Sequence, residues 1–340
     1  MARTLVTGAH GFVGSHLSRA LLERDEEVRV LDRPEPRLAD VGGPRRSGLE
    51  LLGIQEEVEE FEADLRDAEA VGAAVAGCDR VFHLAAQTIV GVARKSPLET
   101  FEVNVRGAWN VFEACRAHDV GRVVFASSDK AYGSSPELPY REDSPLRASF
   151  PYDASKAAAD IVARSYARAH GLPLAVTRFA NVYGGGDLNF SRLIPETVVA
   201  VLEGRSPVIR SDGSPERDFL HVEDAVSAYL AVAVALESEG VWGQAFNAGG
   251  DRPHSVREVI ELIVAAGGGG VDPDYRGTGN PDGEIDRQFV DSSKLRELTG
   301  WRPRVELPEG LRLTLEWYRE HPQARPAMTP AGGQSEPPSE

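Results

Sequence analysis

The sequence predicts an α/β protein: a doubly wound parallel sheet followed by a smaller C-terminal lobe. Two patterns carry this expectation. Short β-branched runs alternate with helical periodicity through residues 1–180, as strands joined by crossover helices require. A glycine triplet, Gly8, Gly11 and Gly14, separates the first of these runs from the first helical pattern. After about Tyr183 the alternation weakens, and Gly184–Gly186, Ser211–Pro215 and Gly267–Gly270 punctuate shorter elements.

In chain order the candidate strands are Thr4–Thr7, Val28–Asp32, Glu57–Glu62, Arg80–Ala85, Arg122–Ser127 and Leu174–Phe179. Several are apolar throughout, as strands covered on both faces should be. Helical patterns lie between them at Val13–Arg24, Ala68–Val75, Pro97–His118 and Tyr152–His170. Arg33–Gly53, rich in Pro, Gly and Arg, reads as a surface excursion. The expected organisation is one unit over 1–180 with 222–248 packing back on it and a lobe over 181–321. Prolines among Gly, Ser and Gln then predict a disordered tail over 322–340.

With 340 residues, 41% hydrophobic and 26% charged, the chain is globular and long enough to bury a sizeable core. Its net charge of −16 offers no attraction to a phosphate backbone or an anionic membrane, so neither nucleic acid nor membrane is expected as a partner. Cys78 and Cys115 are too few for a disulfide framework, and neither they nor His10, His83 and His221 show metal-ligand spacing. No metal site is expected. The first seven residues run straight into a strand, leaving no room for a secretory signal, and no apolar run reaches ~18 residues. A cytoplasmic protein is the expectation.

The triplet lies in Thr4-Leu-Val-Thr-Gly8-Ala-His-Gly11-Phe-Val-Gly14, at a strand end and a helix start. Such a turn brings bare backbone against a pyrophosphate, and the helix N-terminus adds free N–H groups and a favourable dipole. Gly8, Gly11, Phe12, Val13 and Gly14 are therefore candidate contacts of a Rossmann-type dinucleotide site. Asp32 closes the next strand, where its carboxylate can accept from the adenosine ribose hydroxyls and repel a 2′-phosphate, which favours NAD over NADP. Arg33 is the neighbour able to hold that phosphate instead. Asp64 and Leu65 can frame the adenine or cap a helix. Leu84, Ala85 and Ala86 can lie against the middle of the cofactor or simply pack.

Tyr152-Asp-Ala-Ser-Lys156 opens a long helix, and i, i+4 spacing puts Tyr152 and Lys156 on one face. A lysine ammonium there should favour the phenolate and turn Tyr152 into a usable base. With Ser127-Ser128 closing the fifth strand, the chain resembles an extended short-chain dehydrogenase/reductase acting on a nucleotide sugar. The resemblance covers residues 3–320. Its other supports are His83-Leu-Ala-Ala86, Asn104-Val-Arg-Gly107, Ser127-Ser-Asp-Lys-Ala-Tyr-Gly133, Arg178-Phe-Ala-Asn-Val-Tyr-Gly184 and Arg217-Asp-Phe-Leu-His-Val-Glu-Asp224.

The resemblance implies that Ser128 hydrogen-bonds the sugar 4-hydroxyl, Tyr152 removes its proton, and Lys156 holds Tyr152 and the nicotinamide ribose of NAD. In 4,6-dehydratases of this family an acid/base pair, commonly Asp-Glu, follows the Ser/Thr. Here it is Asp129-Lys130, which resembles the CDP-glucose 4,6-dehydratases, as do Ala85-Ala-Gln87, Ser96-Pro97 and Asn104-Val105. Asp129 would protonate the departing 6-hydroxyl. Lys130 would remove the C5 proton, or else would pair with Asp129 or another carboxylate.

Asn181 and Arg217 match positions that contact the nucleotide diphosphate, and Gln87, Asn189 and Arg192 are further candidate substrate contacts; an arginine grips two phosphate oxygens at once. The segment Arg210-Ser-Asp-Gly213 departs from the CDP-glucose enzymes. The expected function is CDP-glucose 4,6-dehydration by a homodimer paired through Pro97–His118 and Tyr152–His170. The alternatives are a 4-epimerase, a nucleotide-uronate decarboxylase, or a dinucleotide-binding sensor without catalysis.

Overall fold

The structure, a computed structural model, describes residues 2–33, 46–250, 252–278 and 285–326. Among them the strands are β1 (Arg3–Thr7), β2 (Glu27–Asp32), β3 (Glu59–Glu62), β4 (Arg80–His83), β5 (Arg122–Ala126), β6 (Leu174–Phe179), β7 (Asn181–Tyr183), β8 (Val208–Ile209), β9 (Glu216–Arg217), β10 (Phe219–His221), β11 (Ala245–Ala248), β12 (His254–Ser255), β13 (Asp274–Tyr275) and β14 (Arg287–Gln288). The helices are α1 (Phe12–Leu22), α2 (Gly48–Leu51), α3 (Ala68–Val75), α4 (Val90–Lys95), α5 (Pro97–Phe101), α6 (Gly107–Ala117), α7 (Pro151–His170), α8 (Leu193–Leu202), α9 (Val222–Ala235), α10 (Val256–Ala266), α11 (Ser293–Thr299) and α12 (Leu307–Glu320). No helix of the described residues is long and apolar enough to cross a membrane.

Seven parallel strands form the central sheet in the order β11-β6-β5-β4-β1-β2-β3. Strands β5 and β6 are buried nearly throughout, whereas the edge strand β3, Glu-Glu-Phe-Glu, is largely exposed. Charge on that edge discourages pairing with another sheet. Strand order reverses between β1 and β4, so the loops leaving their carboxyl ends diverge and open a crevice there. Thr7 of β1 pairs with Leu31 of β2 and His83 of β4, which places the glycine turn, Asp32 and Leu84 around that crevice.

One apolar core lies under α1 and α9, around Leu17, Leu21, Phe82, Val232 and Phe246. The other lies under α3, α6 and α7, around Val75, Phe112, Phe125 and Ala163, and includes both free cysteines. The lobe has its own core, where Val198 of α8, Ile263 of α10 and Leu315 of α12 meet.

Several expectations need correcting. The predicted helix Pro97–His118 is three consecutive pieces, because Glu102–Arg106 forms a π-turn between α5 and α6. Asn104 in that turn donates to the Gln87 carbonyl at 3.0 Å and to Ser155 Oγ at 2.8 Å, tying the loop after β4 to α7. Such bulges often re-aim a side chain at a functional site. The surface excursion does not extend over 48–51: there α2 packs on α1 with Leu49 fully buried and Gly48 N–H on the His10 carbonyl, while residues 34–45 lie outside the described residues. The tail expected over 322–340 is ordered at its start, where Pro322–Ala324 form a turn that buries Ala324 and Arg325 Nε donates to the Tyr318 carbonyl. Residues 327–340 lie outside the described residues. Strand β11 was absent from the expected strands, being only four residues long and followed by two glycines.

Candidate active site

Gly8 adopts φ +77°, a conformation open to glycine, and a Cβ there would lie 2.8 Å from the Ala85 backbone. A Cβ on Gly14 would lie 2.2 Å from the Gly8 carbonyl oxygen, so α1 begins directly over the turn. Below this turn lies a cleft of ≈ 250 Å³ lined by Gly8, Gly11 to Gly14, Asp32, Arg33, Asp64, Leu65 and the Leu84–Ala86 stretch. These are the predicted dinucleotide contacts other than Tyr152 and Lys156. Asp32 Oδ2 accepts the His10 N–H at 3.1 Å and Oδ1 the Arg33 N–H at 2.9 Å, which fixes the carboxylate at the cleft with lone pairs to spare. Burial raises its pKa, against the charges of His10 and Arg33. A bare glycine cradle and an anchored carboxylate are the donor and acceptor set that NAD requires. Asp64 also serves the local fold, because Arg66 holds its carboxylate through Nε at 2.9 Å and Nη2 at 2.7 Å.

The acid/base residues gather at the carboxyl end of β5. Ser128 caps the turn Asp129–Tyr132, its Oγ accepting the Lys130 N–H at 3.2 Å and donating to Asp129 Oδ1 at 3.2 Å. Its hydroxyl is also near enough to the Tyr152 phenol to act against the rise of its pKa. Asp129 is almost wholly buried and its Oδ2 has no hydrogen-bond partner. Burial pushes its carboxyl up to about 6, while Lys130, Ser128 and Arg217 pull the other way. Lys130 is half-buried and its charge acts on both Asp129 and the buried Asp153. Lys130 thus acts electrostatically on two carboxyls.

Tyr152 and Lys156 occupy adjacent turns of α7 as expected, but the expected electrostatics are corrected. Lys156 Nζ donates to the Ala126 carbonyl at 2.8 Å, and burial lowers the amine to about 8. Burial pushes the Tyr152 phenol up to about 12, and the cation that acts against this is Arg192 rather than Lys156. Burial wins because both groups are desolvated inside the protein, which disfavours phenolate and ammonium alike.

The predicted substrate contacts separate into two groups. Gln87, Asn189 and Arg192 line the cleft, and Arg192 pairs with Asp187 at 3.0 Å. The Gln87 amide also braces its own loop, accepting the Ile89 N–H at 2.6 Å and donating to the Ile89 carbonyl at 3.1 Å. Asn189 Oδ1 likewise accepts from Ser191 Oγ at 2.6 Å. Asn181 and Arg217 do not line the cleft. Asn181 Nδ2 donates to the Asp218 carbonyl at 3.1 Å, and Arg217 sits on β9 with its charge acting on Asp129.

Sequence reasoning missed Asp153, Asp187 and Asp218. Asp187 holds Arg192, and its place directly after three glycines was a usable signal. Asp218 is fully buried, accepts the Gly250 N–H at 2.7 Å, and is raised to about 7 by burial. Asp153 follows Tyr152 directly, yet nothing in the sequence pairs it with Lys130.

With this geometry established, comparison with known proteins is decisive for the family. Residues 4–249 match the NAD dependent epimerase/dehydratase family. A dTDP-glucose 4,6-dehydratase of Streptomyces niveus is 34% identical over 327 residues, covering 94% of this chain and 93% of that protein. A UDP-glucose 4-epimerase of Mycolicibacterium smegmatis is also 34% identical, covering 94% of this chain and 100% of that one. Among solved structures, the dTDP-glucose 4,6-dehydratase of Streptomyces venezuelae with NAD bound superposes with a TM-score of 0.84 at 31% identity, covering 94% of this chain and 98% of that chain. The glycine cradle, the Ser-Tyr-Lys set and these similarities together make the chain a member of the NAD-dependent epimerase/dehydratase family of extended short-chain dehydrogenase/reductases, with NAD as its cofactor.

Proposed function

We propose that the chain is a nucleotide-sugar 4,6-dehydratase that converts an NDP-hexose to the NDP-4-keto-6-deoxyhexose. The observation that carries this is Asp129: a buried carboxyl beside Ser128 and Tyr152, with Oδ2 unpartnered and its pKa raised to about 6. A carboxyl whose pKa is lifted toward neutrality can give up a proton as the 6-hydroxyl departs as water, and an epimerase has no use for it. NAD, held by the glycine turn, Asp32 and Lys156, supplies an acceptor for the C4 hydride and its return at C6.

The protein's own groups do the rest. Ser128 Oγ hydrogen-bonds the 4-hydroxyl, and Tyr152 Oη takes its proton as a phenolate, the form that the positive charge of a bound NAD would favour. Oxidation at C4 acidifies the C5 proton, which Lys130 Nζ removes and gives back to C5 as the hydride returns to C6. Asp129 protonates the leaving 6-hydroxyl. Arg192 and Arg217, with Asn181 and Asn189, bind the nucleotide diphosphate. The Asp129-Lys130 pair favours CDP-glucose as the substrate, although the relatives named above are enzymes of dTDP-glucose and UDP-glucose.

The deciding experiment is mass spectrometry of products after incubation with NAD and CDP-, dTDP-, UDP- and GDP-hexoses. Loss of one water from one substrate supports the proposal and identifies the nucleotide. An unchanged mass with an inverted C4 overturns it in favour of 4-epimerisation, the reading favoured by the M. smegmatis relative. Solvent deuterium entering C5 in Lys130→Ala at the wild-type rate would return Lys130 to the role of an ion-pair partner. The same proposal makes the enzyme a cytoplasmic homodimer, paired through α5, α6 and α7, which carry exposed Leu98, Phe101, Trp109 and Ile161; a monomer mass by light scattering would contradict it.

A further inference from the structure

Around the end of the acid/base turn lies a largely buried polar network that the reaction scheme does not use. At its centre is Arg178 of β6, which has no exposed surface. Its guanidinium grips Asp160 of α7 with both prongs, Nε to Oδ2 at 2.8 Å and Nη2 to Oδ1 at 2.9 Å. Nη1 donates to Tyr132 Oη at 3.0 Å and to the Glu142 carbonyl at 3.0 Å. Arginine has only donors, so Tyr132 Oη must accept from it and spend its single proton elsewhere. That proton goes to Asn247 Oδ1 of β11 at 2.7 Å. The Asn247 amide is thereby oriented, with Nδ2 on the Tyr140 carbonyl at 3.1 Å and its backbone N–H on Glu142 Oε1 at 2.8 Å. Tyr140 stacks on Tyr132 with ring centroids 4.8 Å apart and donates to the Gly133 carbonyl.

Two features make this more than core packing. Burying an ion pair gives little stability over apolar residues of the same shape, but its planar fork fixes orientation. The groups it orients also belong to the two elements that must cooperate. Tyr132 ends the turn that carries Asp129 and Lys130, and Asp160 lies eight residues beyond Tyr152 on α7, ~12 Å along the same rigid helix. Arg178 binds both.

We infer that Arg178 and Tyr132 are positioning residues that set the Asp129–Lys130 turn against Tyr152, and that they serve the elimination of water rather than the oxidation at C4. This inference rests on the dehydratase reading. Tyr152 is seated by α7 itself, and Ser128 directly follows Ser127, whose N–H donates to the Thr177 carbonyl of β6 at 2.8 Å, so oxidation at C4 leans less on the network than elimination does. Asp129 and Lys130 sit on a four-residue turn held mainly at its end.

Tyr132→Phe tests it, because it keeps the ring and its stacking and removes only Oη. Single-turnover mixing with the substrate that wild type dehydrates should show C4 oxidation within about twofold of wild type, while water loss slows about tenfold or more, the scale expected of a sub-ångström misplacement. Reduced cofactor then accumulates before product appears, a partition that a merely destabilised core would not produce. Arg178→Lys keeps the charge without the fork and should partition the same way; should it fail to fold, Tyr132→Phe decides alone. Equal slowing of both halves, or no change in either, overturns the inference and leaves the dehydratase reading intact. Wild type that oxidises C4 and loses no water overturns both.

Discussion

The crevice has two walls built by different means. On the β1–α1 side the ligand-facing groups are mostly backbone, made available because Gly8 and Gly14 leave no room for a Cβ, and Asp32 is held by two backbone N–H groups. On the β5–α7 side they are buried titratable side chains, Asp129, Tyr152 and Lys156, whose protonation is set by desolvation. A backbone wall is specified by sterics, and it works or fails with a single glycine. A side-chain wall depends on how many charges share one dry volume, and its failures depend on pH. Breaking each wall separately should therefore give different phenotypes.

The largest effect should come from Tyr152→Phe. Removing the phenolic proton carrier should lower C4 oxidation by about 10³-fold, within the range typical of general acid–base groups, while NAD affinity stays within about threefold. Stopped-flow oxidation and an NAD titration by fluorescence test this. A comparable loss of NAD affinity would show that the two walls are not separable.

Asp129→Asn should follow, slowing elimination by about 10²-fold. It also makes a prediction with a definite sign. Burial raises the carboxyl from 3.8 to about 6, so the folded state takes up a proton that the unfolded chain has already released. That stabilisation is complete below the ordinary carboxylate range and is lost as pH rises through about 6. At about pH 8 wild type carries a buried charge that the variant lacks, so Asp129→Asn should be the more stable protein by about 2–3 kcal/mol, an advantage that disappears at about pH 4. Urea melts at the two pH values measure it. A variant less stable at the higher pH would mean that Asp129 is held by partners rather than merely buried.

Gly14→Ala attacks the other wall. Its Cβ would meet the Gly8 carbonyl oxygen at 2.2 Å, so the turn must open. NAD affinity should fall by about tenfold and stability by about 1–3 kcal/mol, both insensitive to pH because no titratable group is involved. Calorimetric titration with NAD at two pH values tests this.

The same division explains what could be read from the chain alone. The sheet and the glycine turn were legible because sterics act locally: Gly8, Gly11 and Gly14 mean the same thing wherever a strand feeds a helix. Tyr152 and Lys156 were placed correctly on α7, yet their ionisation was misjudged, because spacing shows which side chains share a helix face and says nothing of burial. The bracing of the Gln87 loop by Asn104 and Ile89 was not legible, because it depends on the turn that brings Asn104 against that loop. Asp153 was invisible as a partner of Lys130 because the two lie 23 positions apart and meet only through packing of the Asp129–Tyr132 turn on α7. Strand β11 was too short to register as a periodicity.

The smallest expected effect concerns a residue that touches both walls. Arg192 lines the cofactor cleft, is salt-bridged to Asp187, and is the cation that opposes the rise of the Tyr152 pKa. Its side chain is 41% exposed, so solvent screens much of its charge and the coupling to Tyr152 must be modest. Arg192→Gln removes the charge while keeping hydrogen-bonding capacity. The phenol should then hold its proton more tightly, and C4 oxidation at about pH 8 should slow by about threefold. Raising ionic strength should slow wild type toward the variant and leave the variant nearly unchanged, since only wild type has a charge left to screen. A salt-insensitive loss of the same size would assign Arg192 to substrate binding alone, and the two walls would then share no electrostatic link through it.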